Sequence, residues 1–204
     1  MKIIDQSHEI LFSPDGETIL KNIELAGRTC YQSEGKITAD SAAGFVKKII
    51  KSGHHSVIEH MNFTIKFITD RGVSHELVRH RLASYSQEST RYCMYKNGIA
   101  VIRPVFWKNS SLEMMNWETA MNYAEMMYVQ LLAKGAKPEQ ARSVLPNSLK
   151  TVIVMTANIR ELRHILSLRT SKAAHPQIRE LMIQLLHNLK DKYPVIFDDI
   201  GLVL

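Results

Sequence analysis

The strongest constraint on the fold is the change in hydrophobic period along the chain. Apolar and polar residues alternate over residues 61–69, a two-residue period that predicts a strand. Over residues 40–52 the apolar residues recur at the three- and four-residue spacing of an amphipathic helix, through Ala42, Val46 and Ile49. We therefore expect a chain in which strands and helices are mixed. Strands are predicted at residues 2–12, 61–69, 99–103 and 151–156, and helices at residues 17–31, 40–52, 111–134, 138–144, 158–168 and 176–192.

The longest predicted helix, residues 111–134, is rich in methionine. Methionine fills irregular gaps in packed interiors, so these side chains favour a core or a subunit contact over a cofactor site. We expect one apolar stripe on this helix to be buried. The stripe consists of Ala120, Tyr123, Ala124, Met127 and Leu131.

Composition is typical of a soluble globular protein. The 204 residues are 45% hydrophobic and 23% charged, and the formal net charge is +6. No repeat or linker divides the sequence, so we predict a single domain over residues 1–204. The basic excess suits anionic ligands but does not separate nucleic acids from mononucleotides.

The two cysteines and the absence of apolar runs bear on location. Cys30 and Cys93 form no CxxC pair and stand at no metal-ligand spacing, which favours a reducing cytoplasm. His54, His55 and His60 cluster, but no acid or thiol lies at a recognised metal spacing, so no metal site is predicted. No stretch reaches the length of a membrane span. We predict a cytoplasmic protein without a membrane partner.

Residues 79–91 concentrate the polar chemistry of the chain. Three arginines, one histidine and three serines lie within these thirteen residues. The first part is predicted to end a helix that runs up to Leu82, and the serine-rich part to be an ordered loop. Arginine forks and hydroxyl donors suit a phosphate next to a flat ring that carries carbonyl groups. Two other hypotheses fit the same charges: a solvated surface, or an RNA- or nucleotide-binding module that stacks bases on Tyr85 and Tyr92.

The sequence of these residues resembles the signature of the flavin-dependent thymidylate synthases. Arg79-His80-Arg81, seven intervening residues and Ser89 match that signature. Similar segments lie elsewhere: Gly-His-x-Ser-x-x-Glu-His from residue 53, Ala-Arg-x-Val-Leu-Pro from residue 141, and Asn-x-Arg from residue 158. The resemblance implies an α/β (α+β) fold with a mostly antiparallel central sheet flanked by helices.

The resemblance also implies an activity. Family members methylate dUMP to dTMP, with methylenetetrahydrofolate as the carbon donor and non-covalently bound FAD, reduced by NADPH, as the hydride source. They are homotetramers with FAD at subunit interfaces. Their partners are small molecules, so no nucleic acid partner is implied.

Site residues follow from the resemblance, position by position. Arg169 is expected to act in catalysis by contacting the uracil ring. Residues expected to contact FAD are His54, Ser56, Arg79, His80, Arg81, Gln87, Asn158, Arg160 and His164, with Glu59 a weaker candidate. Residues expected to contact dUMP are Glu76, Arg79, Gln87, Ser89, Arg91, Arg142 and Arg169.

The remaining nucleophiles have structural alternatives. Cys93 follows Arg91 closely, but its neighbours suit a packed position, so buried structural cysteine is favoured over a catalytic thiolate. No His–Asp pair is placed to activate Ser89, which we interpret as a hydrogen-bond donor to the phosphate of the ligand. Glu76 and His164 differ from residues common at those positions in the family, and residues 170–176 are longer than the matching segment in several members. No Gly-x-Gly-x-x-Gly occurs, which excludes a Rossmann loop as the flavin site.

Overall fold

The computed structural model describes residues 1–201. The strands are β1 (Lys2–Ile4), β2 (Ser7–Phe12), β3 (Asn62–Asp70), β4 (Ser84–Gln87), β5 (Ala100–Ile102) and β6 (Lys150–Asn158). The helices are α1 (Gly16–Thr29), α2 (Ser41–Lys51), α3 (Arg71–Leu77), α4 (Leu112–Ala133), α5 (Pro138–Ala141), α6 (Ile159–Arg169), α7 (Pro176–Lys192) and α8 (Pro194–Phe197). Single 3₁₀ turns occupy Glu34–Lys36, His55–Ile58 and Arg142–Val144.

The main sheet is four-stranded and antiparallel, with the strand order β2-β3-β6-β4. Buried and half-buried residues alternate from Phe63 onward in β3 and throughout β6, so one face of each strand is covered. Strands β1 and β5 form a separate parallel pair in which Lys2 aligns with Ala100. The predicted fold class, an antiparallel sheet flanked by helices, is confirmed.

Contacts within the chain define two compact units. The first comprises Met1–Glu9, Lys66–Arg79 and Tyr85–Val154. The second comprises Ile10–Ile65, His80–Ser84 and Met155–Leu204, of which residues up to 201 are described. The single-domain assignment stays a prediction.

Each unit has its own apolar interior. In the first, one buried cluster joins β5 and α4 through Val101, Met114, Trp117 and Met121. In the second, Phe63 meets Tyr193 and Phe197 edge to face, with ring centroids 5.2 and 6.0 Å away.

The predicted structure of residues 79–91 is wrong in two respects. Helix α3 ends at Leu77 rather than near Leu82, and Leu82 is 78% exposed. Four residues of the predicted loop form strand β4. The serine-rich sequence does not show the residue pattern of a strand. The backbone can still pair with the neighbouring strand at the sheet edge, because those hydrogen bonds do not depend on the side chains. Tyr85 adds a side-chain anchor, since its hydroxyl donates to the Leu77 carbonyl at 2.7 Å.

The predicted stripe on the longest helix is also wrong. Helix α4 buries Met114, Trp117, Met121 and Tyr128 instead, while Tyr123 is 61% exposed. Apolar residues occur almost all round this helix, so periodicity could not choose the buried face. None of the helices in residues 1–201 combines the length and the apolar composition needed to cross a membrane.

Candidate active site

Helix α6 organises the polar residues of the second unit. Asn158 caps it, because its side-chain oxygen accepts a hydrogen bond from the Glu161 backbone N–H at 2.9 Å. Ile159, Leu162, Ile165 and Leu166 are buried. The outer side of the helix therefore carries Arg160, Arg163 and His164.

A cavity of about 810 Å³ lies along this outer side. Three residues predicted to contact flavin line it, namely Asn158, Arg160 and His164. Its arginines already pair with acids: Arg160 with Glu59, and Arg163 through two 2.7 Å hydrogen bonds with Asp199. The Arg163 guanidinium lowers the pKa of the Asp199 carboxyl.

His80 lies against α6 and contacts both ends of that helix. Its Nε2 accepts a hydrogen bond from Arg169 Nε at 3.0 Å. Its Nδ1 lies 3.5 Å from the Glu161 carboxylate. The His164 ring packs edge to face against it, with centroids 5.8 Å apart. His80 is 6% exposed, so these contacts are formed in the interior.

The charge state of His80 follows from this environment. Burial, followed by the neighbouring Arg169 and His164, lowers its pKa from 6.5 to about 4. His80 is therefore neutral at pH 7. Since Arg169 is always a donor, the ring proton of His80 is on Nδ1.

In the first unit, Gln87 is fixed at the end of β4. Its amide nitrogen donates to the hydroxyls of Ser74, at 2.8 Å, and Thr151, at 3.2 Å. This arrangement orients the side chain of a residue predicted to contact both ligands.

The arginines predicted to hold dUMP in the same unit are exposed. Arg142 donates to the Thr90 hydroxyl at 3.3 Å. The Arg91 guanidinium lies 3.8 Å from Glu139, and its backbone N–H donates to the Ser89 hydroxyl at 3.2 Å. Ser89, Arg91 and Arg142 thus lie in the first unit, where these contacts join the loop after β4 to α5 and the following 3₁₀ turn.

The next residue after Gln87 holds this loop by its side chain. Glu88 accepts from Lys150 Nζ at 2.7 Å and from the Tyr95 hydroxyl at 3.0 Å. Burial and the charge of Glu88 raise the pKa of Tyr95, which keeps its hydroxyl protonated as a donor. No local sequence pattern predicts this network, because its members are 7 and 62 residues from Glu88.

Several predicted site residues are not gathered at these places. His54 is exposed and lines a separate depression of about 700 Å³ with Arg28 and Lys48. Ser56, Arg79 and Arg81 are exposed, and Glu76 is half-buried in α3. Their assigned roles stay predictions.

Sequence inspection missed one buried acid at the site. Glu161 is 6% exposed and faces His80. It stands three residues after the helix cap Asn158, a spacing typical of an acidic capping-box position, and that spacing was the available signal.

Neither cysteine forms a disulfide. Cys30 is exposed and Cys93 is half-buried. Among residues 1–201, no group of three or more His, Cys, Asp or Glu side chains is arranged to hold a metal ion.

The comparison with solved structures agrees with this fold. The crystal structure of a UMP/dUMP methylase, PolB, from Streptomyces cacaoi bound with 5-Br dUMP matches with a TM-score of 0.82 at 26% sequence identity. The match covers 97% of this chain and 96% of that chain.

Sequence comparisons point to the same group of proteins. A flavin-dependent thymidylate synthase from Geobacter sulfurreducens is 39% identical over 198 residues, which cover 93% of this chain and 84% of that protein. Another from Mycobacterium avium is 36% identical over 210 residues, covering 94% and 83% respectively. The family model for the thymidylate synthase complementing protein, Thy1, matches residues 15–195. With this model spanning most of its length, the chain belongs to the Thy1 family.

Proposed function

We propose that the protein is a flavin-dependent thymidylate synthase, which converts dUMP to dTMP with methylenetetrahydrofolate as carbon donor. The observation that carries this proposal is the family match over residues 15–195, which includes every assigned site residue. Its curated relatives are named as synthases of this type, and the solved methylase was bound with a brominated dUMP.

The α6 cavity fits the polar part of FAD. Diphosphate oxygens need several donors, and Asn158, Arg160 and His164 offer amide, guanidinium and imidazole groups along one side. The Arg160–Glu59 pair is largely exposed, with side chains 54% and 39% accessible, so exchanging Glu59 for a phosphate costs little. The exposed Arg81, which also belongs to the second unit, supplies further positive charge.

The residues of the first unit hold the nucleotide. Arg91 and Ser89 bind the phosphate, Gln87 the sugar, and Arg142 the base. Exposed arginines suit this role, because they exchange a weak protein partner for a charged ligand oxygen. The resemblance to the family also places Glu76 near dUMP, although a carboxylate repels phosphate.

Arg169 activates the pyrimidine. Its guanidinium, placed against N3 and the adjacent carbonyls, stabilises negative charge on the uracil ring and so makes C5 more nucleophilic. Bound FAD, once reduced by NADPH, would supply the hydride that completes the methyl group. This division of labour requires no protein thiolate.

We further propose that the protein is a cytoplasmic homotetramer with FAD at subunit interfaces. Helix α4 supports an assembly, because its outer side carries large exposed apolar side chains that a single chain leaves in water. These are Leu112, Met115, Tyr123, Met126 and Val129. Light scattering of the purified protein tests the subunit number.

The experiment for the function is direct. Purified protein is expected to be yellow, to release FAD on denaturation, and to form dTMP from dUMP only when methylenetetrahydrofolate and NADPH are both present. A colourless protein that takes up no FAD on titration would contradict the proposal.

The alternative, an RNA- or nucleotide-binding module, gains no support from the relatives, whose names describe synthases and a methylase. It predicts salt-sensitive binding of oligonucleotides that is stronger than binding of dUMP. A competition assay between a labelled oligonucleotide and dUMP separates the two.

A further inference from the structure

The orientation of the Arg169 guanidinium matters for its proposed role at the uracil ring. A guanidinium can polarise uracil only if its plane is fixed, but arginine has a long and flexible side chain. The hydrogen bond from Nε to His80 fixes this plane, because Nε is part of the planar group. The orientation of Arg169 therefore depends on what holds His80.

Glu161 lies on the opposite side of the His80 ring. Its carboxylate is 3.5 Å from Nδ1, whereas Arg169 donates to Nε2. The two residues stand in the first and last turns of the same helix, about 12 Å apart along its axis. The imidazole spans the gap between two long side chains, so the three groups form a line along α6.

The proton positions along this line follow from its ends. Arg169 can only donate, so Nε2 of His80 must accept, and the ring proton lies on Nδ1 facing Glu161. An acceptor at Glu161 thus selects the one tautomer of His80 that can receive Arg169. Without that acceptor, the ring can hold its proton on Nε2 or rotate, and either change removes the partner of Nε.

The burial of the Glu161 carboxylate indicates that it needs a partner. Glu161 and His80 are each 6% exposed, and burying a charged group costs free energy unless it is paired. Helix capping does not require this carboxylate, since Asn158 caps α6 through the Glu161 backbone N–H. The side chain is directed to His80 instead.

We propose that Glu161 is a positioning residue for Arg169, acting through His80 to hold the guanidinium in the orientation that receives uracil. The inference rests on the proposed role of Arg169 at the nucleotide, and it adds a residue that the flavin and nucleotide sets do not contain.

The test is a double-mutant cycle read by dUMP affinity. Glu161→Met keeps the volume but removes the acceptor, and Glu161→Gln keeps an oxygen acceptor. Dissociation constants for dUMP are measured by titration of the FAD-loaded proteins, in the wild-type and Arg169→Ala backgrounds. We expect roughly tenfold weaker binding for Glu161→Met and at most about threefold for Glu161→Gln. In the Arg169→Ala background neither substitution should weaken binding further.

A matched control separates positioning from general stability. Glu24 is another buried acid of the second unit, 1% exposed and paired with Arg28. Glu24→Met is expected to lower the melting temperature and leave dUMP affinity unchanged. If Glu161→Met does not fold, the same cycle is run with His80→Gln, and the loss of dUMP affinity must again vanish without Arg169.

The outcomes are distinguishable. Equal losses from Glu161→Met with and without Arg169 would overturn the positioning role, as would full affinity in the wild-type background. If Arg169→Ala itself leaves dUMP binding and dTMP formation intact, the proposed function of Arg169 fails instead.

Discussion

Two groups of arginines in this protein are held in different ways. In the second unit, Arg169 is tied to the buried His80, which faces a buried acid. In the first unit, Arg91 and Arg142 are exposed. Arg91 lies 3.8 Å from the Glu139 carboxylate, and Arg142 donates to the Thr90 hydroxyl. A group fixed before the ligand arrives loses little entropy on binding, whereas an exposed side chain must be ordered by the ligand. We therefore expect the first kind to contribute to the rate of chemistry as well as to substrate binding, and the second kind to contribute mainly to substrate binding.

The largest effect is expected for Arg169→Ala. Removing a fixed donor from developing negative charge typically lowers a rate by about 10²–10³-fold. The variant should retain FAD, and its rate of dTMP formation under saturating substrates is the measurement. Wild-type turnover in the variant would show that this arginine is not the activating group.

Next in size is a pH effect on stability from His80. Its pKa is lowered from 6.5 to about 4 in the folded protein, so between these values the unfolded chain binds more protons. The resulting contribution to the free energy of unfolding is fully present above pH 6.5 and is lost as the pH falls toward 4. A pKa difference of one corresponds to about 1.36 kcal/mol, so the loss is at most about 3 kcal/mol.

The matching measurement is urea unfolding at pH 7 and at pH 4.5. We expect His80→Gln to lose less stability than the wild type over this interval, while the exposed His187→Gln should follow the wild type. Identical pH dependence in all three proteins would contradict a buried, neutral His80.

A smaller effect is expected for the loop of the first unit. Lys150→Met leaves the Glu88 carboxylate, 18% accessible, without its cation, which should cost about 1–3 kcal/mol of unfolding free energy. Glu88→Gln in the same protein should restore part of that loss. Thermal unfolding of the single and double variants measures the coupling, and strictly additive losses would show that the pair is unimportant.

Arg142→Ala tests the exposed group itself. We expect the KM for dUMP to rise roughly tenfold while kcat stays within about threefold, because the interaction is made equally in bound substrate and transition state. Lys134→Ala, another cation of the first unit at the end of α4, is the control. A large fall in kcat at unchanged KM would place Arg142 among the fixed, activating groups and erase the contrast between the two regions.

Some of this arrangement was predictable from the sequence and some was not. Helix periodicity located α2 and α7 well, since Val46, Ile49, Ile178 and Leu181 are buried as expected. It failed for α4, whose apolar residues surround the helix, and it missed β4, whose side chains are polar.

The site divides along the same line. Arg169 and His80 were identified by resemblance to a family motif, but the bond between them joins positions 89 residues apart. Glu88 and Lys150 carry no motif of their own, and the capping-box spacing of Glu161 does not point to His80. Such contacts are set by tertiary structure, which local patterns of sequence do not encode.

The central claim is that fixed positive charge and a bound flavin replace a protein thiolate in activating uracil. Measuring NADPH-dependent dTMP formation by the double variant Cys30→Ser, Cys93→Ser tests it most directly. We predict turnover within about twofold of the wild type, since neither sulfur takes part in the chemistry. Loss of turnover in a folded, FAD-loaded double variant would contradict the account.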